Sequence, residues 1–205
     1  MATVLWARHG ENVANLTQTF SYRVFDGELT PAGRRHARAL AAGLADRDRD
    51  PVGRLVCSPL RRARQTAEIV APLLALPVAA EVDDLRELNV GDLDGRSDAQ
   101  AWEVYDAVLA GWRAGQLETR FPGGENCIEL YRRVAAAITA ASAPANGATT
   151  LIVAHGGALR MCLPLLTGDP DPGTDIPYGG YAELETAAPG ARMQLVSWPA
   201  AATGQ

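Results

Sequence analysis

The sequence predicts a single α/β domain whose mostly parallel central sheet is flanked by helices. Two observations carry this prediction. Short apolar runs alternate with segments of helical periodicity, which is the pattern of strand–helix–strand units. The chain has 205 residues, of which 47% are apolar and 21% are charged, so it can bury one complete core. We expect residues 1–199 to form the domain and residues 200–205 to form a flexible tail.

The first half of the chain contains three predicted strands, at residues 3–7, 54–57 and 77–81. One helix is predicted to begin at Thr30-Pro31, because a hydroxyl caps a helix and proline fits its first position. It runs to about residue 46. Another helix is predicted to open at Ser58-Pro59, since the apolar residues that follow recur at helical spacing: Leu60, Ala63, Ala67, Val70 and Leu74.

The second half of the chain begins with an irregular segment, residues 83–95, that is rich in acids and glycine. Helices are predicted at residues 97–113, 125–143 and 158–166. The apolar run at residues 149–154 is the clearest strand. Two last strands, at residues 181–186 and 192–197, are predicted around a Pro189-Gly190 turn.

The chain contains no lysine, so all 19 of its cations are arginines. This absence excludes a P-loop, pyridoxal Schiff-base chemistry, and the biotin and lipoyl carriers, each of which needs a lysine. The three cysteines are widely separated, and there is no C-x-x-C or H-E-x-x-H motif. Neither a structural zinc site nor a zincin is therefore expected.

Charge and hydropathy indicate where the protein works. The net charge is −5 and the pI is near 5.2, which argues against a nucleic-acid partner. The first residues have no basic lead and too short an apolar run for a signal peptide, and no apolar stretch approaches the ~18 residues of a membrane span. Single, widely spaced cysteines suit a reducing compartment. We expect a cytoplasmic protein that binds neither nucleic acid nor membrane.

Cations and histidines occur at three places where a predicted strand ends. In an α/β sheet, ligands bind beyond the carboxyl ends of the strands, so these segments are expected to meet. One histidine at a strand end is more often structural than catalytic, but two of the three histidines in this chain share that position. The segments are Arg8-His9-Gly10-Glu11, Ser58-Pro59-Leu60-Arg61-Arg62 and His155-Gly156-Gly157.

This combination favours a phosphate ligand. Arginine binds phosphate oxygens with a planar fork and keeps its charge, while Gly10 and Gly156 let the backbone come close to a ligand. The helix after His155 is expected to offer free N–H groups as a seat for an anion. A neutral imidazole among cations is a suitable nucleophile, because nearby positive charge lowers its pKa.

Four blocks of residues in the right order resemble the histidine phosphatase superfamily, also called the phosphoglycerate mutase-like family. The resemblance extends from the first strand to the helix after His155, and it implies the phosphoglycerate mutase-like fold. The blocks are Arg8-His9-Gly10-Glu11 with Asn15, Ser58-x-Leu60-x-Arg62-Ala63-x-x-Thr66-Ala67, Leu85-x-Glu87 with Gly91 and Gly95, and Val153-Ala154-His155-Gly156-Gly157.

The resemblance implies a role for each of five residues. His9 attacks phosphorus and becomes a phosphohistidine, and Arg8, Arg62 and His155 hold the phosphoryl oxygens. Glu87 protonates the leaving oxygen and then activates water. No metal or other cofactor is implied, because arginines and imidazoles supply the positive charge.

Other assignments depend on matching the family pattern. Arg61 competes with Arg62, and the catalytic arginine of the family directly precedes the alanine at position 63. Asn15, Ser21 and Gly156 match further phosphate contacts. Tyr22, Arg23 and Phe25, and the region of residues 97–120, are where we expect substrate specificity. The segment Gly91-Asp92-Leu93-Asp94-Gly95 departs from the usual G-x-(aromatic)-E-G pattern. Pro122-Gly123-Gly124-Glu125 resembles a segment of the phosphatase branch, or equally the start of a helix with an acidic first turn.

Three functions are compatible with these residues. The first is a phosphatase of a small phosphorylated metabolite. The second is a cofactor-dependent phosphoglycerate mutase, which is disfavoured because the segment between Gly95 and Pro122 is short and carries only three arginines. The third is a catalytically silent protein that binds a phosphorylated ligand. An α/β-hydrolase is excluded because there is no G-x-S-x-G motif. A homodimer is compatible with the family.

Overall fold

Six strands form one sheet in the part of the chain that the structure describes. The structure is a computed structural model that describes residues 2–47, 50–142, 148–169, 176–187 and 192–197. In chain order the strands are β1 (Ala2–Arg8), β2 (Val52–Cys57), β3 (Val78–Glu81), β4 (Thr149–Ala154), β5 (Tyr181–Thr186) and β6 (Gln194–Ser197). Their order across the sheet is β3-β2-β4-β1-β5-β6.

The sheet is mostly parallel, as predicted. Strands β1 to β4 pair in parallel, whereas β5 runs antiparallel to both of its neighbours, β1 and β6. Helices cover both faces, as a parallel sheet requires. They are α1 (Val13–Thr17), α2 (Pro31–Ala45), α3 (Arg61–Leu73), α4 (Ala99–Arg113), α5 (Cys127–Ala141) and α6 (Gly156–Thr167). Short 3₁₀ turns occupy Asp83–Leu85 and Gly91–Leu93 within the irregular segment.

Alternate residues of the two central strands, β1 and β4, belong to two separate hydrophobic cores, one on each face of the sheet. One core packs under α2 and α3, and the other packs under α4, α5 and α6. Since both faces are closed to water, shortening a core side chain such as Leu151 to alanine is expected to cost about 2–5 kcal/mol. The strand residues of the first core are Leu5, Ala7, Leu151 and Val153, and those of the second are Val4, Trp6, Ile152 and Ala154.

Several predicted element ends were wrong. Helix α3 begins at Arg61 and not at Ser58-Pro59, because the backbone N–H of Ser58 still pairs with the carbonyl of Val153 at the end of the sheet. Helix α6 begins at Gly156, two residues before the predicted start. The five-residue α1 was not predicted. The Pro189-Gly190 turn and residues 200–205 lie outside the described residues. Among the described helices, none is long and apolar enough to cross a membrane.

Candidate active site

Strands β1, β2 and β4 end side by side at one edge of the sheet. The N–H of His9 donates to the carbonyl of Ala154 over 3.0 Å, and the N–H of Ser58 donates to the carbonyl of Val153 over the same distance. These bonds extend the strand pairing by one residue beyond β1 and β2. The three segments that carry the cations and histidines therefore meet, as the sequence predicted.

His9 is buried with one ring nitrogen directed at Arg62. Its Nδ1 lies 2.6 Å from the carbonyl oxygen of Gly10, which can only accept, so Nδ1 carries the proton. Its Nε2 accepts from the Nε–H of Arg62 over 3.0 Å. Burial, followed by the charges of Arg62 and Arg8, holds the pKa of His9 well below its usual range, although the bond to Gly10 opposes this. The resting ring is neutral and presents a lone pair on Nε2.

Arg62 lies in the first turn of α3 and is held by the loop that follows α1. Its two terminal nitrogens donate to the side-chain and backbone oxygens of Ser21, each over 3.1 Å. A carboxylate oxygen of Asp26 lies 3.6 Å from the guanidinium. Arg61 points the other way, to Glu28, and is half exposed. The neighbouring arginines thus differ: Arg62 faces the buried histidine, and Arg61 faces solvent.

Arg8 and His155 each keep a buried nitrogen without a hydrogen-bond partner among the described residues. In Arg8 it is Nε, while another guanidinium nitrogen donates to the carbonyl of Ile176 over 2.8 Å and the group stacks 4.0 Å above Tyr178. In His155 it is Nδ1, while Nε2 lies 2.7 Å from the Ser58 hydroxyl. Unpartnered buried polar atoms are uncommon in proteins. The third among the described residues is the indole Nε1 of Trp6 in the core, and the other two belong to residues predicted to bind phosphate.

The two histidines are in direct contact. The rings of His9 and His155 meet edge to face, with their centroids 5.3 Å apart. His155 is fully buried behind His9, and burial together with the charge of Arg62 and the neighbouring His9 holds its pKa well below the usual value. Thr66 joins the surrounding backbone, since its hydroxyl accepts from the N–H of Gly10 and donates to the carbonyl of Arg62. In the sequence, Thr66 was noted only as one residue of a family block. Ser58 was not predicted as the partner of His155.

Glu87 lies between the two 3₁₀ turns, and its carboxylate reaches the start of α6. Its carboxylate accepts from the backbone N–H groups of Gly157 (3.1 Å), Ala158 (2.7 Å) and Leu88 (3.0 Å). The predicted anion seat at this helix start is therefore taken by a carboxylate of the protein itself. The two glycines are needed here because a Cβ at Gly157 would lie 2.8 Å from Glu87, and one at Gly156 would lie 2.9 Å from the Arg8 side chain.

A buried ion pair fixes the segment that carries Glu87. Arg133 of α5 forms two bonds with the Glu125 carboxylate, at 2.7 and 2.9 Å. Its guanidinium also donates to the carbonyls of Asp84, Arg86 and Glu87, each over 2.8 Å. Glu125 precedes the helix and is buried, so it is a bracing residue and not part of an acidic first turn. No local pattern signalled the bonds that Arg133 makes to this segment, since the three carbonyls lie 46 to 49 positions away.

A cavity of about 360 Å³ opens beside these groups. Arg8, His9, Arg62 and Glu87 line it, and His155 lies directly behind His9. Three predicted phosphate contacts, Asn15, Ser21 and Gly156, also line it. The helical region expected to confer specificity contributes five lining residues of α4, and sequence reasoning missed Arg160 of α6. The α4 residues are Trp102, Tyr105, Asp106, Leu109 and Arg113.

Tyr22 and Arg23, predicted to bind substrate, are not among the described residues that line the cavity. Their backbone N–H groups, with that of Val24, donate instead to the Asp94 carboxylate over 2.6–2.9 Å. Tyr22 is buried, and Arg23 extends over its ring. These bonds hold the loop in place: Asp94, within the segment that departs from the family pattern, ties this loop to the rest of the site. A substrate contact by Tyr22 and Arg23 stays a prediction.

A sheet edge that gathers a buried neutral histidine pair, two arginines and a carboxylate around one cavity defines an α/β enzyme that handles phosphate. The chain belongs to the histidine phosphatase superfamily (branch 1), whose family model matches residues 4–198. The resemblance in the motifs is thereby confirmed.

Known relatives and structures agree with this membership. The chain is 32% identical to "Probable phosphoglycerate mutase GpmB" of Yersinia enterocolitica, over 83% of this chain and 77% of that one. It is 30% identical to "Metal-independent phosphoserine phosphatase" of Arabidopsis thaliana, over 77% and 65%. The fold matches a solved mycobacterial glucosyl-3-phosphoglycerate phosphatase with a TM-score of 0.77 at 27% identity, over 98% and 100% of the two chains. The protein is a phosphomonoester hydrolase.

Proposed function

We propose that this protein is a metal-independent phosphatase of a small phosphorylated metabolite and that His9 forms a phosphohistidine intermediate. The observation that carries this proposal is the contact between His9 and Arg62. A neutral Nε2 lone pair lies 3.0 Å from a guanidinium, so the nucleophile and a group that binds phosphoryl oxygens are already adjacent.

The reaction has two proposed steps. In the first, Nε2 of His9 attacks phosphorus, an N–P bond forms, and the P–O bond to the leaving group breaks as Glu87 gives that oxygen a proton. In the second, Glu87 takes a proton from water, and the water oxygen displaces His9 to release inorganic phosphate. Each step leaves Glu87 ready for the next one.

Positive charge for both transition states comes from residues around His9. The Arg62 guanidinium, which donates to His9 at rest, turns its donors to the phosphoryl oxygens once substrate is bound. The unpartnered Nε of Arg8 and Nδ1 of His155 are two further donors. One such donor is typically worth about 10²–10³ in rate. Two fixed arginines also supply the charge that a metal ion supplies in other phosphoryl-transfer enzymes.

Glu87 must hold a proton before it can act as an acid. A phosphate monoester loses its second proton near a pH of about 6, so a substrate that binds as the monoanion can bring that proton with it. Activity is therefore expected to be highest under mildly acidic conditions and to decline as the substrate becomes a dianion.

A phosphate-release screen over small phosphorylated metabolites tests this proposal, with p-nitrophenyl phosphate as the generic substrate. His9→Ala should abolish release, and a variant with wild-type turnover would overturn the assignment of the nucleophile. Quenching turnover of a radiolabelled phosphate ester in alkaline detergent, which preserves the acid-labile N–P bond, should trap a labelled wild-type chain and an unlabelled His9→Ala chain.

The mutase is kept as a second candidate because several relatives are named as probable phosphoglycerate mutases. A mutase would convert 3-phosphoglycerate to 2-phosphoglycerate faster when 2,3-bisphosphoglycerate is present. A phosphatase would release phosphate whether or not the bisphosphate is added.

A further inference from the structure

The turn directly before β5, residues 176–180, packs against the backbone of Arg8. The N–H of Arg8 donates to the carbonyl of Gly180 over 2.9 Å, and the N–H of Gly179 donates to the carbonyl of Arg8 over 3.1 Å. A third bond closes the turn itself, from the N–H of Gly180 to the carbonyl of Pro177 over 2.9 Å. These bonds fix the turn against the end of β1, where the groups of the active site meet.

The same turn also contacts the side chain of Arg8. The guanidinium nitrogen Nη1 donates to the carbonyl of Ile176 over 2.8 Å. The central carbon of the guanidinium lies 4.0 Å from the centroid of the Tyr178 ring, which is within the range of a cation–π contact. The Nε of Arg8 is buried and has no hydrogen-bond partner among the described residues. The turn therefore engages the guanidinium through Nη1 and through one face, and it leaves Nε available to a ligand.

The Nε of Arg8 lies beside Gly156, at the start of α6. A Cβ placed on Gly156 would be 2.9 Å from this nitrogen. Arg8, Gly156 and His9 all line the same cavity. The orientation of the Arg8 side chain therefore decides whether Nε can donate to a phosphoryl group that is bound at His9.

Tyr178 is itself supported by helix α2. Its ring stacks on the imidazole of His36, with the two centroids 5.6 Å apart and the ring planes inclined by 17°. The turn is close to the backbone of the same histidine, since a Cβ on Gly179 would be 2.7 Å from the carbonyl oxygen of His36. Tyr178 and His36 are both half-buried. The contact with His36 limits the movement of the Tyr178 ring, so the ring is a fixed surface for the guanidinium of Arg8.

We propose that Tyr178 is a positioning residue that holds Arg8 in the orientation in which its Nε donates to the transferred phosphoryl group. An arginine side chain has many rotamers, and ordering it only when substrate arrives would cost free energy of binding. The ring of Tyr178 orders the guanidinium in advance, and this role needs the face of an aromatic ring and not the phenol hydroxyl. Tyr178 lies outside the four blocks that resemble the family. The inference rests on the proposed function, in which Arg8 binds the phosphoryl group.

Variants of Tyr178 in two backgrounds test the inference, with p-nitrophenyl phosphate as the substrate. Tyr178→Leu should lower kcat/KM by about three- to thirtyfold, the range expected for the loss of a cation–π contact, whereas Tyr178→Phe keeps the ring and should restore kcat/KM to within about twofold of wild type. Tyr178→Met, a second variant without a ring, should behave like Tyr178→Leu. In an Arg8→Ala background, Tyr178→Leu should cause less than about a twofold further loss, because the group that the ring positions is gone.

Tyr131→Leu is the matched control, because Tyr131 is a half-buried tyrosine of α5 that is not among the described residues lining this cavity. It should leave kcat/KM unchanged in both backgrounds. Binding of inorganic phosphate, measured by calorimetry, gives a second readout that does not need turnover, and Tyr178→Leu should raise its Kd by a similar factor only when Arg8 is present.

Two results would overturn the positioning role of Tyr178. One is an equal loss from Tyr178→Leu in the Arg8 and the Arg8→Ala backgrounds, which would mean that the ring only supports the fold. The other is a loss in Tyr178→Phe as large as that in Tyr178→Leu, which would assign the effect to the hydroxyl. Failure of the proposed function is recognised separately: wild type would then release no phosphate from p-nitrophenyl phosphate, while the affinity for inorganic phosphate would still depend jointly on Tyr178 and Arg8.

Discussion

Lowering the pH from 7 to 5 is expected to weaken the fold, because His9 and His155 are both buried as neutral rings. In the unfolded chain each would titrate near pH 6.5, whereas in the fold the pKa of each is well below that value. Below pH 6.5 the unfolded chain therefore binds more protons than the folded one. The two neutral histidines therefore make their full contribution to the free energy of unfolding above pH 6.5, and this contribution is lost as the pH falls.

The size of this loss in unfolding free energy follows from the number of buried neutral histidines. Each one contributes about 1.4 kcal/mol per pH unit while it stays neutral in the fold, so the pair contributes about 2.7 kcal/mol per unit. At pH 5 the loss reaches about 4 kcal/mol, out of the 5–15 kcal/mol that is typical of a domain. His36, whose pKa is lowered by burial but which is only partly buried, adds a smaller loss.

Urea unfolding followed by tryptophan fluorescence, between about pH 7.5 and 5, measures this slope. His9→Asn, whose amide can still donate to Gly10, should reduce the slope by about half, and His36→Gln should change it much less. If wild type showed no loss of unfolding free energy below pH 6.5, or if His9→Asn kept the full slope, the histidines would not be neutral in the fold and the reasoning about the nucleophile would be refuted.

Three other predictions concern activity. Arg62→Ala should lower kcat/KM for p-nitrophenyl phosphate by about 10²–10³, whereas Arg61→Ala should lower it less than about tenfold. Comparable losses in the two variants would show that the contact between Arg62 and His9 is not the one used in catalysis. Arg133→Gln should act through Glu87, so it should show the same substrate dependence as Glu87→Gln. In both variants, hydrolysis of an alkyl phosphate should fall more than that of p-nitrophenyl phosphate, because the leaving oxygen of the latter needs little protonation. A loss equal for both substrates would indicate a merely structural role for Arg133. Dialysis against EDTA should leave turnover unchanged, and activity restored by added metal would contradict the metal-independent proposal.

Local patterns predicted much of the fold. Thr30 caps α2 in the structure, with Pro31 at its first position, and β4 spans the predicted residues. These elements were predictable because each depends on neighbours in sequence. Ser58 shows the limit: it precedes proline like a helix start, but a hydrogen bond to Val153, in another strand, keeps it extended.

The candidate site divides in the same way. Strand ends placed Arg8, His9 and His155 together without knowledge of the fold, since parallel strands finish at one edge. Three features depend on contacts between residues far apart in sequence: the bonds of Glu87 to the start of α6, those of Arg133 to the segment that carries Glu87, and those of Asp94 to the loop at residues 22–24. The predicted substrate contacts of Tyr22 and Arg23 could not be sharpened from the sequence, because one sequence does not show which side of a loop faces a cavity.

The separation of the two cores has a consequence for how this enzyme can change. Strand ends and α3 place Arg8, His9 and Arg62, whereas α4, on the other face of the sheet, supplies five residues of the cavity wall. Exchanges on the cavity-facing side of α4 are therefore expected to leave the first core, under α2 and α3, in place. A library confined to the cavity-facing positions of α4 would test whether substrate choice can be altered separately from the groups that bind the phosphate.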